Sequence, residues 1–281
     1  MNFDAAEDFV WRNARLIDRL RFQFHFRGGS ADAVVAALRP YRNGDGGFGN
    51  GLEPDIRDPS RQPIPTWEAF KLLDEIGAFV DQIELVHDAC NFLLSVTTEE
   101  GGVPFVLPSV LDCPHAPWWQ PSPKASLNPT SCLAYLLRKN GVSHRWLDRA
   151  VEYCRRRIPI ERTDGGDGSD GVIAILQFLG DDPLMDDIGA EAIAKGHFVL
   201  DPNTPGYVKM PLDVAPAPDS PTRRLFSNDV IEAHLDALAA RQQDDGGWPI
   251  TWEPPGPAPV YEWRGQWTVR NLLILRAYGR L

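Results

Sequence analysis

The chain has 281 residues, 43% of them hydrophobic, and a net charge of −11, which excludes nucleic acid or an anionic membrane surface as the main partner because phosphate contacts need a basic surface. The opening stretch MNFDAAEDFVWR is acidic, with no basic segment ahead of an apolar core, and no run of eighteen apolar residues occurs. The reading is therefore a soluble, cytoplasmic protein that does not span a membrane. Cys90, Cys113, Cys132 and Cys154 form no CxxC pair and predict reduced thiols rather than a disulfide framework. No Ser-rich or Lys/Glu-rich linker divides the sequence, so residues 1–281 read as one domain.

Apolar positions at helical spacing (Phe9, Val10, Leu16, Ile17, Leu20) predict a first helix over residues 3–26, stopped by Gly28 and Gly29. Ser30 can cap a second, carrying Val34, Val35 and Leu38 and ended by Pro40. A long polar loop follows, YRNGDGGFGNGLEPDIRDPSRQPIP, and then a helix with Trp67, Phe70, Leu73 and Ile76. Residues 81–96 form another helix before Glu100-Gly101-Gly102 and a loop too rich in Pro to be helical. Pro129-Thr130 opens the next, and residues 146–158, 172–179, 184–195 and 230–241 follow, with an irregular stretch at 197–222. After Asp245-Gly246-Gly247-Trp248 a Pro-rich loop leads to a last helix over 266–278.

Glycine pairs begin at positions 46, 101, 165 and 246, each between two helices, and so mark a repeat array of helical hairpins with variable loops. A lone amphipathic hairpin cannot bury its apolar stripe; stacked hairpins can, and an array that closes on itself is a ring. The predicted fold is all-α, an α/α toroid of about five hairpins plus an N-terminal helix within residues 1–30. Its long Pro/Gly-rich loops gather at one end, and the stretch 197–222 leaves the ring complete or one inner helix short. Inner helices would point their positive dipole ends toward that mouth.

Arg241-Gln242-Gln243-Asp244-Asp245-Gly246-Gly247-Trp248 resembles the Gln…Gly-x-Trp repeat of the terpenoid cyclase and protein prenyltransferase superfamily, whose members fold as α/α toroids. Residues 41–48 resemble a copy without the Gln, and Thr66-Trp67-Glu68-Ala69 and Pro129-Thr130-Ser131 resemble inner-helix starts. The resemblance implies a central apolar cavity for an isoprenoid chain. It does not extend to the catalytic signatures: no Asp-x-Asp-Asp acid is present, and Gln242-Gln243-Asp244-Asp245 belongs to the structural turn. Asp181-Asp182-Pro183 reads as a helix cap rather than a metal motif. Asp112-Cys113-Pro114-His115 has residue types that suit zinc but lacks the superfamily's spacing. The metal assignment is therefore none and the cofactor unknown, zinc being disfavoured and magnesium admitted only alongside a diphosphate substrate.

The loops carry the candidate site. Glu53, Asp55, Arg57 and Asp58 put four ionisable groups into one short segment, where a carboxyl crowded by others can keep its proton and act as a general acid; Glu53 and Asp55 are the catalytic candidates. Arg57 and Asp58, with Trp118, Trp119, Trp252, Glu262, Trp263 and Arg264 from the other loops, are the substrate-binding candidates, the Trp faces suiting a cation or a sugar ring. A diphosphate would need two or three of Arg57, Arg61, Lys124, Arg223, Arg224 and Arg264 to converge. The leading expectation is a protein that binds a small apolar isoprenoid-like substrate, and that, if it is an enzyme, transforms it as a terpene cyclase or prenyltransferase does. The alternatives are a glycoside hydrolase or lyase on the same toroid, with Glu53, Asp55 and Glu262 lining an open groove, and a non-catalytic scaffold of that fold.

Overall fold

The computed structural model describes residues Met1–Leu281; its regular structure is helical, joined by turns, long irregular loops and three isolated bridges. The helices are α1 (Phe3–Asn13), α2 (Leu16–Phe26), α3 (Ala31–Leu38), α4 (Pro63–Glu75), α5 (Ile83–Ser95), α6 (Leu127–Lys139), α7 (Arg145–Glu161), α8 (Gly168–Leu179), α9 (Pro183–Ala194), the single turn α10 (Pro211–Val214), α11 (Asn228–Ala240) and α12 (Pro257–Ala277). The packing divides them into two compact units, Ser30–Asp167 and Met1–Gly29 with Gly168–Leu281.

In the 30–167 unit, α4 lies against α5 and α6, and α7 packs on both α5 and α6. Phe70, Leu73, Val86, Leu93, Leu133, Leu137 and Tyr153 are its fully buried contacts, as the helical spacing of these apolar residues requires. In the other unit α12 lies against α1, α2 and α11, with α8 on α9 and α10 on α11. Gly265 of α12 makes the contact with α2's approach close, since a Cβ there would stand 2.5 Å from that of Ala14.

Three of the four glycine pairs build the same turn. Gly47, Gly102 and Gly247 accept from the backbone N–H of Asn43, Thr98 and Gln243 at 2.8, 2.9 and 2.9 Å, and those same three residues accept from Gly46, Gly101 and Gly246. The residue after each pair, Phe48, Val103 or Trp248, donates its N–H to a threonine hydroxyl: Thr66 at 3.2 Å, Thr130 at 3.0 Å, Thr268 at 3.2 Å. Gly46 and Gly246 sit at φ +95° and +90°, and a Cβ would stand 2.4 Å from Asp88 O of α5 or 2.0 Å from Ala5 O of α1. Only glycine gives both that backbone region and that approach. The last turn is also tied to the start of the chain, Gln242 Nε2 donating to Asn2 O at 2.7 Å.

Several boundaries differ from expectation. The first helix is two, because Ala14 and Arg15 are extended; the Arg15 guanidinium turns to Asp18 in the first turn of α2 at 2.8 Å. The pair Gly165-Gly166 does not repeat the turn, its positive φ falling at Gly168 where α8 begins. Helix α12 starts at Pro257, so the stretch taken as a loop is helical. Pro in a first turn costs no hydrogen bond, since those N–H groups have no intrahelical acceptor. Glu262, Trp263 and Arg264 are therefore helix residues. Asp182 caps α9 as expected, its Oδ1 accepting from Leu184 N at 2.9 Å.

Candidate functional site

The loop that carries the acidic candidates is not solvated. Its backbone pairs with a segment far along the chain: Arg57 N donates to Pro114 O and Ala116 N to Asp55 O, both at 3.0 Å, around an Ile56–His115 bridge. This pairing turns Ile56 into an apolar cluster with Ile64, Val106, Val110, Ala116 and Trp119, with Trp67 and Phe105 packed against it. Glu53 and Asp55 are carried inward with it, to 2% and 1% exposure.

Glu53 Oε2 accepts the Asp55 N–H at 3.0 Å. Burial, then the neighbouring charges of Asp55 and Glu68, push its pKa well above the ordinary carboxylate range; the Asp55 N–H and Lys71 oppose this and lose. The carboxyl stays protonated well above the pH at which a solvated glutamate ionises. Asp58 is as buried and behaves oppositely. Desolvation pushes its pKa up, but Ser109 Oγ (2.6 Å) and Gln62 Nε2 (2.8 Å) on Oδ2 and Ser60 N (2.8 Å) on Oδ1 outweigh it and hold the pKa below its ordinary value. Gln62 passes the connection on, accepting from Leu107 N at 2.6 Å. Asp58 thus holds loop to loop as an anion, whereas Glu53 holds a proton.

Sequence reasoning missed Glu68 and Lys71. They face the same way on α4, Lys71 Nζ lying 2.6 Å from Glu68 Oε1 and 4.0 Å from the centre of the Trp67 ring. The i, i+3 and i, i+4 spacing was the available signal. Arg57 lies against the Gly51 backbone. Of the adjacent tryptophans, Trp119 (8% exposed) belongs to the apolar cluster and stacks tilted on Phe105 at 5.1 Å, while Trp118 (45%) faces solvent.

The remaining candidates lie in the other unit. Trp252 meets Trp263, Tyr207 and Trp267 edge-on at 5.2, 5.6 and 5.9 Å. Lys209 joins this group, 2.7 Å from Asp170 and 2.6 Å from Tyr207 Oη, as does Arg270 on the Trp267 face, 2.8 Å from Asp213. Glu262 is half-buried on α12. Arg264 is drawn into the repeat turn: it grips both oxygens of Asp245 at 2.9 and 2.7 Å, donates to Trp248 O and lies over the Phe9 ring. Arg61 holds Asp45 of the first turn in the same manner at 2.7 Å. Both arginines brace turns. His115 Nδ1 is 2.7 Å from Cys113 O, and no group of three or more His, Cys, Asp or Glu side chains converges as a metal site.

No protein-family profile matches the sequence, and no curated protein does. Solved structures do. A protein from Actinoplanes aligns over 98% of both chains with a TM-score of 0.62 at 16% identity. The type II terpene cyclase MstE from Scytonema, without ligand, aligns over 99% of this chain and 98% of its own, with a TM-score of 0.58 at 14% identity. An arginine-to-alanine variant of MstE in complex with its substrate, geranylgeranyl dihydroxybenzoate, aligns over 99% and 97% with a TM-score of 0.55 at 15% identity. At such identities the likeness carries the fold alone. The chain has the all-α fold of these terpene cyclase structures, in keeping with the α/α toroid expected from its repeats, and no helix of it is long and apolar enough to cross a membrane.

Proposed function

We propose that the protein binds an isoprenoid or similarly apolar chain and acts on it by proton transfer, with Glu53 as general acid. The observation that carries this reading is Glu53 itself, a carboxyl buried beside an apolar cluster, whose hold on its proton is raised well above that of a solvated glutamate. A proton passing from Glu53 to an epoxide or alcohol oxygen, with its C–O bond breaking, would leave a carbocation on the substrate and a carboxylate on the protein. The Asp55 N–H on Oε2 is placed to hold that carboxylate, and the carboxylates of Asp55 and Glu68 would favour the positive charge. The burial of Glu53 and Asp55 runs against the carbohydrate reading, which needs them on an open groove.

The test is incubation of the whole chain with linear isoprenoids, followed by product analysis and thermal shift. The wild type yields cyclised or isomerised product, and Glu53→Gln loses about 100-fold or more of the rate while keeping the ligand-induced shift. A shift without product in the wild type leaves a non-catalytic binder of the same fold, and no shift with any isoprenoid removes the reading altogether.

A further inference from the structure

The charges around Glu53 restrict what the polar end of such a ligand can be. Asp55 is wholly buried beside Glu53, and Glu68 lies within electrostatic reach of it. The nearby cation, Lys71, is already committed, its ammonium 2.6 Å from Glu68 and seated on the Trp67 face. An anionic group brought there would meet the carboxylates of Asp55 and Glu68, and the Lys71 ammonium already has a partner.

Most of the basic residues of the loops already have partners. Of the six that a diphosphate could recruit, Arg61 is bound to Asp45, Arg224 to Asp186 and Asp181, and Arg264 to both oxygens of Asp245. Arg223 donates to Phe226 O and Asn228 Oδ1, Arg57 lies against Gly51, and Lys124 is a single exposed side chain. In the aromatic group of the other unit, Lys209 and Arg270 are held by Asp170 and Asp213. A diphosphate is bound where several cations turn toward one point with their charge unspent; here Arg61, Arg224, Arg264, Lys209 and Arg270 are each paired with a carboxylate of their own unit.

We infer that the isoprenoid taken by this protein ends in an uncharged oxygen function, an alcohol or ether, and that isoprenoid diphosphates are excluded. The inference rests on the isoprenoid reading above and narrows it. A carboxyl that keeps its proton recognises such an oxygen by donating to it, and Asp55 and Glu68 repel a phosphate in its place.

The probes are geranylgeraniol and geranylgeranyl diphosphate, which share one tail, titrated into the full chain with and without magnesium. The alcohol should bind at least tenfold more tightly. Glu68→Gln removes one carboxylate and releases the Lys71 ammonium, so it should narrow that preference by about tenfold through tighter diphosphate binding. Diphosphate binding equal to or tighter than that of the alcohol overturns the inference, as does a preference that Glu68→Gln leaves unchanged. Binding of neither probe takes away the isoprenoid reading itself, a result distinct from a reversed preference.

Discussion

Glu53 and Asp58 belong to one loop and are almost equally buried, yet their proton affinities move apart because their hydrogen-bond supplies differ. Asp58 collects three donors, whereas Glu53 receives the Asp55 N–H and faces two carboxylates. Opposite shifts in neighbouring acids mark a division between a structural anion and a proton carrier. The shift of Glu53 has a consequence for stability. Below about pH 4, the ordinary glutamate range, folded and unfolded chains both hold the proton. As the pH rises above it the unfolded chain releases the proton and the native chain keeps it, so Glu53 costs stability increasingly until the pH passes its raised native pKa. Glu53→Gln removes that cost. In urea unfolding, the variant should gain on the wild type as the pH rises above the ordinary glutamate range toward the raised native pKa; a constant difference would mean that Glu53 ionises normally. The sequence showed the four ionisable groups of this loop together, but not which of them is protonated. That depends on the pairing of residues 55–57 with 114–116, two irregular segments with no periodic signal to join them.

At the scale of elements, the hairpin repeat was legible because glycine at a left-handed turn and threonine at a helix entry are local requirements. Thr66 and Thr130 stand out beside proline at the start of α4 and α6. Thr268 plays the same part, yet it lies in the middle of α12, whose early start the prolines at 257 and 259 disguised. Its hydroxyl accepts from Trp248 N and donates to Arg264 O at 2.7 Å, and the side chain is fully buried. Thr268→Val keeps the shape and leaves a buried N–H unpaired, so it should cost about 1–3 kcal/mol in equilibrium unfolding. Thr268→Ser keeps the hydroxyl and should recover most of that loss. Equal losses in the two variants would show that the methyl group, and not the hydrogen bond, joins the turn to α12. The break between α1 and α2 was hidden for a related reason: apolar spacing continues across Ala14 and Arg15, although the backbone there is extended and Arg15 makes a local contact with Asp18 in the first turn of α2.

For the whole molecule, fold and activity separate. A fold can be kept at 14% identity over almost the entire length of a terpene cyclase, because many apolar residues satisfy the same packing, while an acid or a charged grip depends on a few side chains. The four cysteines offer a way to follow one part of this fold by itself, since Cys90, Cys113, Cys132 and Cys154 all lie in the 30–167 unit. Three are buried and Cys113 is partly exposed. Burial pushes the Cys90 thiol up to about 12, and burial followed by the proximity of Cys132 raises Cys154 further. Since the thiolate is the reactive form, neither reacts in place at pH 8. An aromatic disulfide reagent should therefore modify one thiol quickly in the native chain, and the other three only as the unit opens, at a common rate set by the opening equilibrium. A ligand held beside Glu53 binds the closed form of that same unit and should slow the three late thiols by the factor one plus ligand concentration over Kd, leaving Cys113 unaffected. Two or more fast thiols would contradict the packing of α5, α6 and α7. A late phase unchanged by a ligand that still raises the melting temperature would place its binding site outside the 30–167 unit.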